Sequence, residues 1–146
     1  MSALFEHSPW VEARADAAPS SGDRHADLMK VMYAASATEQ LALIRAHPEL
    51  AGKAAIDRTL TEASAAEQAS AGLDRLTPDE FEQFQALNTA YRERFDFPFI
   101  ICVRLTDKAG ILAAMQARLA NDRETEIATA LEQIGEIVRL RLEDRT

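Results

Sequence analysis

Thr77-Pro78-Asp79-Glu80 is the clearest helix start in the chain. Thr77 can accept a bond from a free backbone N–H, Pro78 loses nothing at the first helical position, and Glu80 can reach back to close a capping box. Behind it Phe81, Phe84, Asn88 and Tyr91 recur at steps of three, four and three. That helical stripe predicts a helix ending near Phe95. Ser8 before Pro9 reads as N-cap and first position of a short helix through Trp10 and Val11. A second helix carries Leu28, Met29, Val31 and Met32. Ser36 with Glu39 forms another capping box, and its helix runs through Leu41, Leu43 and Ile44. Pro48 stops it, because the residue before a proline is pushed out of the helical region. Further helices are predicted at about Thr61 to Leu73, Gly110 to Leu119 and Glu124 to Leu142.

Composition points the same way. Five glycines and five prolines in 146 residues leave few breaks, and β-branched runs are scarce. One all-α domain over residues 1–146 is expected. The exception is Phe97 to Val103, the longest apolar run. It suits a short strand, but a helical chain offers no partner strand, so a buried extended or short helical segment is expected.

Charge removes several functions. Sixteen Lys and Arg stand against 24 Asp and Glu, a net −8. No basic stripe serves a phosphate backbone, so nucleic acid is not an expected partner. No apolar run nears the roughly 20 residues of a membrane helix. The first ten residues lack the basic and apolar regions of a secretory signal. The lone Cys102 has no partner for an internal disulfide. A reducing cytoplasm is the expected location.

Few residues can carry chemistry. His7, His25 and His47 form no metal-binding spacing, and no Cys/His cluster exists, so no metal is expected. Cys102, inside an apolar run, reads as a buried structural thiol. His47 stands where a helix is forced to end. Carbonyls there favour a protonated imidazole, and an ordinary pKa of ~6.5 suits proton transfer. A histidine that only caps the helix carries the same pattern. Ser64, Glu67 and Gln68 fall at i, i+3 and i+4 of one helix, so a hydroxyl, a carboxylate and an amide share a face. Such a face can bind a polar heterocycle, or simply meet water. Arg141 follows Ala130, Ile134 and Ile137 on an apolar stripe and needs a partner there. A substrate carboxylate, a buried acid or a route to the surface would each serve. Arg139, three residues after Glu136, suits an exposed ion pair.

Several segments together resemble one family. They are Phe5-Glu6-His7-Ser8-Pro9-Trp10-Val11, His47-Pro48-Glu49-Leu50-Ala51-Gly52-Lys53 and Ser64-x-x-Glu67-Gln68 with Ala71-Gly72-Leu73. Phe84-x-x-Leu87-Asn88-x-x-Tyr91 then leads through Arg94-Phe95 into Phe97 to Ile101, and Arg118-Leu119-x-Asn121 is followed by Glu124. Their order and spacing resemble 2-oxo-4-hydroxy-4-carboxy-5-ureidoimidazoline (OHCU) decarboxylases of urate breakdown. The resemblance implies an all-helical fold, a homodimer, no cofactor, and conversion of OHCU to (S)-allantoin and carbon dioxide. It assigns catalysis to His47 with Glu67, and substrate contacts to Pro48, Ser64, Gln68, the stretch Phe99, Ile100, Ile101, Cys102 and Val103, and Arg141. Glu67 is expected to bind ring or ureido N–H groups and to orient His47. Family members carry more helical sequence ahead of Phe5, where this chain has Met1 to Leu4, so packing at that end is expected to differ. Two other readings compete: a related cofactor-free lyase or hydrolase acting on a ureido acid, and a helical interaction module without activity.

Overall fold

The computed structural model of the chain describes residues 4–51 and 60–145. Among these lie seven α-helices, one 3-10 turn and no strand. The helices are α1 (Trp10–Asp16), α2 (Arg24–Ala34), α3 (Ala37–Arg45), α4 (Glu62–Ser70), α5 (Pro78–Phe95), α6 (Lys108–Arg118) and α7 (Arg123–Asp144). Gly52 and Lys53 of the family-like segment lie outside the described residues.

The helix starts follow the sequence closely. Both capping boxes form, Ser36 with Glu39 and Thr77 with Glu80. Thr61 caps α4, Asp107 caps α6 and Asp122 caps α7, each satisfying a backbone N–H that the helix leaves free. Ser8 departs from expectation. Pro9 is already in the helical region and is itself the N-cap of α1, with no side-chain cap. Ser8 Oγ instead donates to the Glu6 carbonyl at 2.9 Å, across a turn in which His7 has φ 48°. α4 ends where Gly72 takes φ 80°. There Leu73 N–H bonds Gln68 O and Gly72 N–H bonds Ala69 O. These are the two bonds of a Schellman stop, and the left-handed residue it needs is normally glycine.

α7 forms the spine. α2 and α3 pack on it, α1 packs on α2, α6 packs on α5, and α4 lies against the 3-10 turn Val103–Leu105. Ala130, Ile134 and Ile137 face the core, and Arg141 continues their stripe as the spacing predicts. Gly135 on the same helix lies against the Met29 side chain of α2: a Cβ there would sit 2.9 Å from Met29 Sδ, and the thioether would have to shift. Phe84, Asn88 and Tyr91 are buried along α5. Phe81, in its first turn, lies beyond the edge of the core and is exposed.

Phe97 to Cys102 forms neither helix nor strand, reaches Cys102 in an extended conformation, then enters the 3-10 turn. Its anchors are polar and buried. The Glu126 carboxylate accepts from Tyr91 Oη at 2.5 Å, Arg118 Nε at 2.8 Å and Asn121 Nδ2 at 2.8 Å. Arg118 also donates to Ile100 O at 2.7 Å and lies 4.3 Å over the Phe99 ring. Gln133 accepts the Cys102 N–H at 2.9 Å. A buried charge is tolerable only when paired and hydrogen-bonded. The network meets that condition for Glu126, while Arg118 Nη2 is buried without a hydrogen-bond partner among the described residues. The network's bonds to Ile100 and Cys102 fix the segment's backbone along the cavity.

Candidate active site

A narrow cavity lies between the end of α3, α4, the segment after α5 and the end of α7. All the residues singled out from the sequence border it: His47, Pro48, Ser64, Glu67, Gln68, Phe99, Ile100, Ile101, Cys102, Val103 and Arg141. Leu50, Arg104 and Ile137 also line it and were not anticipated.

His47 is 7% exposed and sits one turn beyond Leu43. Its Nδ1 lies 2.9 Å from the Leu43 carbonyl. A carbonyl can only accept, so Nδ1 carries the proton and Nε2 presents a lone pair. Nε2 is buried and has no protein partner among the described residues. Burial pushes the imidazole pKa down to about 4, outweighing the Leu43 carbonyl and the nearby Glu6 charge, which both raise it. This corrects the expectation of a helix-end imidazolium: desolvation exceeds the pull of the terminal carbonyls. The imidazole is therefore neutral at neutral pH. Its orientation also comes from Leu43, not from Glu67 as expected.

The turn after His47 is held by three amides. Asn88 Nδ2 donates to Leu50 O at 2.8 Å, Gln85 Nε2 donates to Ala51 O at 2.8 Å, and Gln68 Oε1 accepts the Ala51 N–H at 3.0 Å. Ala51 is in the left-handed region, with φ 52°. Alanine pays for that geometry with roughly 1–2 kcal/mol, and the paired N–H and C=O hold it there.

Glu67 and Arg141 form a fork on the opposite wall, with Nε–Oε2 at 2.8 Å and Nη2–Oε1 at 2.7 Å. Arg141 Nη2 also reaches Glu6 Oε1 at 2.9 Å and Nη1 reaches Leu4 O at 3.3 Å. Of the three partners open to Arg141 from sequence, the structure supplies acids, Glu6 buried and Glu67 part-buried. Its own burial opposes its charge, but Glu67 and Glu6 more than compensate and raise its pKa. Glu6 is 1% exposed and was missed as a site residue, although its segment was noted. It accepts from Ser64 Oγ, and from Thr61 Oγ1 at 2.9 Å. Burial pushes the Glu6 carboxyl up, yet the Ser64 bond and the Arg141 charge hold it below the usual carboxylate value. One hint was legible in the sequence: a glutamate between Phe5 and Val11, both buried, in a segment that must order. Ser64 thus spends its one proton on Glu6 and faces the cavity as an acceptor.

The apolar wall is Phe99, Ile100, Ile101, Cys102 and Val103. Cys102 is buried, and burial pushes its thiol pKa up, so it is a small apolar wall residue and not a nucleophile. No group of three or more metal-ligating side chains occurs among the described residues. Among the described residues no helix is long and apolar enough to cross a membrane.

The family described as OHCU decarboxylase matches residues 1–143. The chain is 45% identical to the 2-oxo-4-hydroxy-4-carboxy-5-ureidoimidazoline decarboxylase of Haloferax volcanii, over 97% of this chain and 84% of that protein. It is 40% identical to the uric acid degradation bifunctional protein of Bacillus subtilis, over 99% of this chain and 29% of that one. A crystal structure of OHCU decarboxylase in the presence of (S)-allantoin superposes with a TM-score of 0.73 at 19% identity, covering 94% of this chain and 91% of that chain. A crystal structure of (S)-allantoin synthase gives 0.70 at 30% identity, over 97% of this chain and 46% of that chain. The chain belongs to the OHCU decarboxylase family, a family of carboxy-lyases.

Proposed function

We propose that this chain decarboxylates OHCU to (S)-allantoin, with His47 as its acid–base residue and with no cofactor. The observation that carries this reading is the buried Nε2 of a neutral His47, without a partner among the described residues, on a residue that borders a cavity whose other polar groups suit a ureide.

The substrate holds a hydroxyl and a carboxylate on one ring carbon, beside a C=N bond. When carbon dioxide leaves, the C–C pair forms a new C=C bond and the C=N pair moves onto nitrogen, which takes a proton from solvent. The ring is its own electron sink, so neither pyridoxal nor thiamine is needed. The resulting enol loses its O–H proton and gains one on the neighbouring carbon. His47 Nε2 accepts the first and delivers the second, from one face only, which gives one enantiomer. The bond to Leu43 keeps Nδ1 protonated throughout, so only Nε2 exchanges protons.

Glu67 accepts ring or ureido N–H bonds while Arg141 holds it in place. Gln68, whose oxygen is used on Ala51, offers its NH₂ group to a ureide carbonyl, and Ser64 accepts a ureide N–H. Phe99, Ile100 and Ile101 strip water from the carboxylate, which favours its conversion to neutral carbon dioxide. Pro48 fixes the chain beside His47. A single compact domain acting as a homodimer in the cytoplasm completes the reading.

The test is the decay of freshly generated OHCU, followed by ultraviolet absorbance with and without the protein. Catalytic amounts should accelerate it strongly. Decay at the spontaneous rate with folded protein removes the proposal and favours a relative acting on another ureido acid.

A further inference from the structure

Two arginines border the cavity, and they differ in what holds them. Arg141 is 4% exposed and locked between Glu6 and Glu67. Arg104 is 31% exposed and is held by Asp144, itself 58% exposed, through Nη1–Oδ2 at 2.7 Å and Nη2–Oδ1 at 3.2 Å. Buried forks resist exchange because an abandoned partner is left charged in the interior. Exposed ion pairs contribute little, and both partners return to water when they part.

Arg104 also stands at a junction. The inner cavity is adjoined by an outer groove between α4 and the end of α7. Glu67, Arg104 and Arg141 line both. Glu6, Glu67 and Arg141 together carry a formal charge of −1, which opposes an incoming anion. Arg104 supplies the compensating charge at the mouth, and Asp144 cancels it at rest.

We propose that Arg104 is a specificity-determining residue that captures ureides bearing a carboxylate as they enter, with Asp144 occupying in the resting protein the fork that the ligand's carboxylate takes over before it passes to the apolar wall. One carboxylate replaces another in the same bidentate geometry, so the exchange leaves no donor unsatisfied. The released Asp144 carboxylate turns to water. This inference deepens the proposed function, since it names the charge the same cavity requires.

The test pairs allantoate, which carries a carboxylate, with allantoin, a neutral ureide, in calorimetric titrations of wild type, Arg104→Gln, Arg104→Lys and Asp144→Asn. Arg104→Gln should weaken allantoate about tenfold or more and leave allantoin within about twofold. Arg104→Lys should recover part of the loss, and Asp144→Asn should tighten allantoate. Equal losses for both ligands, or no loss, or no allantoate binding to wild type, overturns the proposal. Turnover of OHCU is measured beside it. Arg104→Gln should raise KM about tenfold, hold kcat within about threefold and flatten the decline of kcat/KM with salt. A wild type that binds allantoate through Arg104 yet leaves OHCU untouched contradicts the proposed reaction and not this assignment.

Discussion

His47 Nδ1 lies 2.9 Å from the carbonyl oxygen of Leu43, and this bond decides which nitrogen of the ring can do chemistry. The same helix end that stops at Pro48 supplies the acceptor, so the sequence feature that breaks α3 also sets the tautomer. His47→Ala should fold normally and lose turnover by about 10²–10⁴-fold, the usual contribution of a positioned acid–base group. Steady-state kinetics with a circular dichroism melt checks both halves. Near-wild-type rates in that variant would remove His47 from the mechanism.

Acid should weaken the fold through two groups. The His47 pKa is depressed to about 4 from the ordinary imidazole value of 6.5. Between these pH values the unfolded chain binds a proton that the folded chain refuses, so stability falls as pH drops from 6.5 towards 4. At 1.36 kcal/mol per unit the loss is roughly 3 kcal/mol. The Glu6 pKa is lowered from 4.5, so its contribution is present above that value and is lost as pH falls through the folded one. Urea titrations across pH should show both limbs in wild type. His47→Asn should lack the limb between 6.5 and 4 and keep the more acid one. For the same reason kcat/KM should stay level down to about pH 5.

Arg141 holds two glutamates, so its loss should be structural as well as functional. Arg141→Met leaves Glu6 buried without its cation, and should destabilise by about 3–5 kcal/mol. Adding Glu6→Gln should restore part of that, because the two changes share one interaction. Strictly additive effects in the double variant would contradict the pairing.

Glu67→Gln keeps the shape of the wall but weakens the fork. Activity should fall without vanishing, with Arg141 retained by Glu6. Unchanged rate and affinity would take Glu67 out of the site.

Tyr91 donates to a fully buried Glu126 at 2.5 Å. Tyr91→Phe should cost about 1–3 kcal/mol, the range for hydrogen bonds to charged or buried groups. The segment after α5 would lose part of its anchor, so KM should rise as well. A thermal melt at wild-type temperature would show that the network tolerates the gap.

Much of this was legible because it is local. Capping boxes, the Pro48 stop and the i, i+3, i+4 face of α4 depend on residues a few positions apart, and the structure forms them. Arg141 on its apolar stripe told of a buried partner but not which one. Glu6 arrives from 135 residues away, and no periodicity encodes such a meeting. The His47 charge state was misread for a related reason. Helix-end carbonyls are visible in sequence, whereas the desolvation that outweighs them is a property of the packed cavity. Arg104 was missed because its place at the mouth depends on the 3-10 turn and on Asp144 at the far end of α7.

The most direct measurement is the handedness of the product. Urate oxidase and hydroxyisourate hydrolase would generate fresh OHCU, and circular dichroism would follow the allantoin formed. Wild type should give rapid (S)-allantoin, and His47→Ala only slow racemic decay. Racemic product at the spontaneous rate with folded wild type, or fast (S)-allantoin from the variant, would contradict a decarboxylase that works through His47.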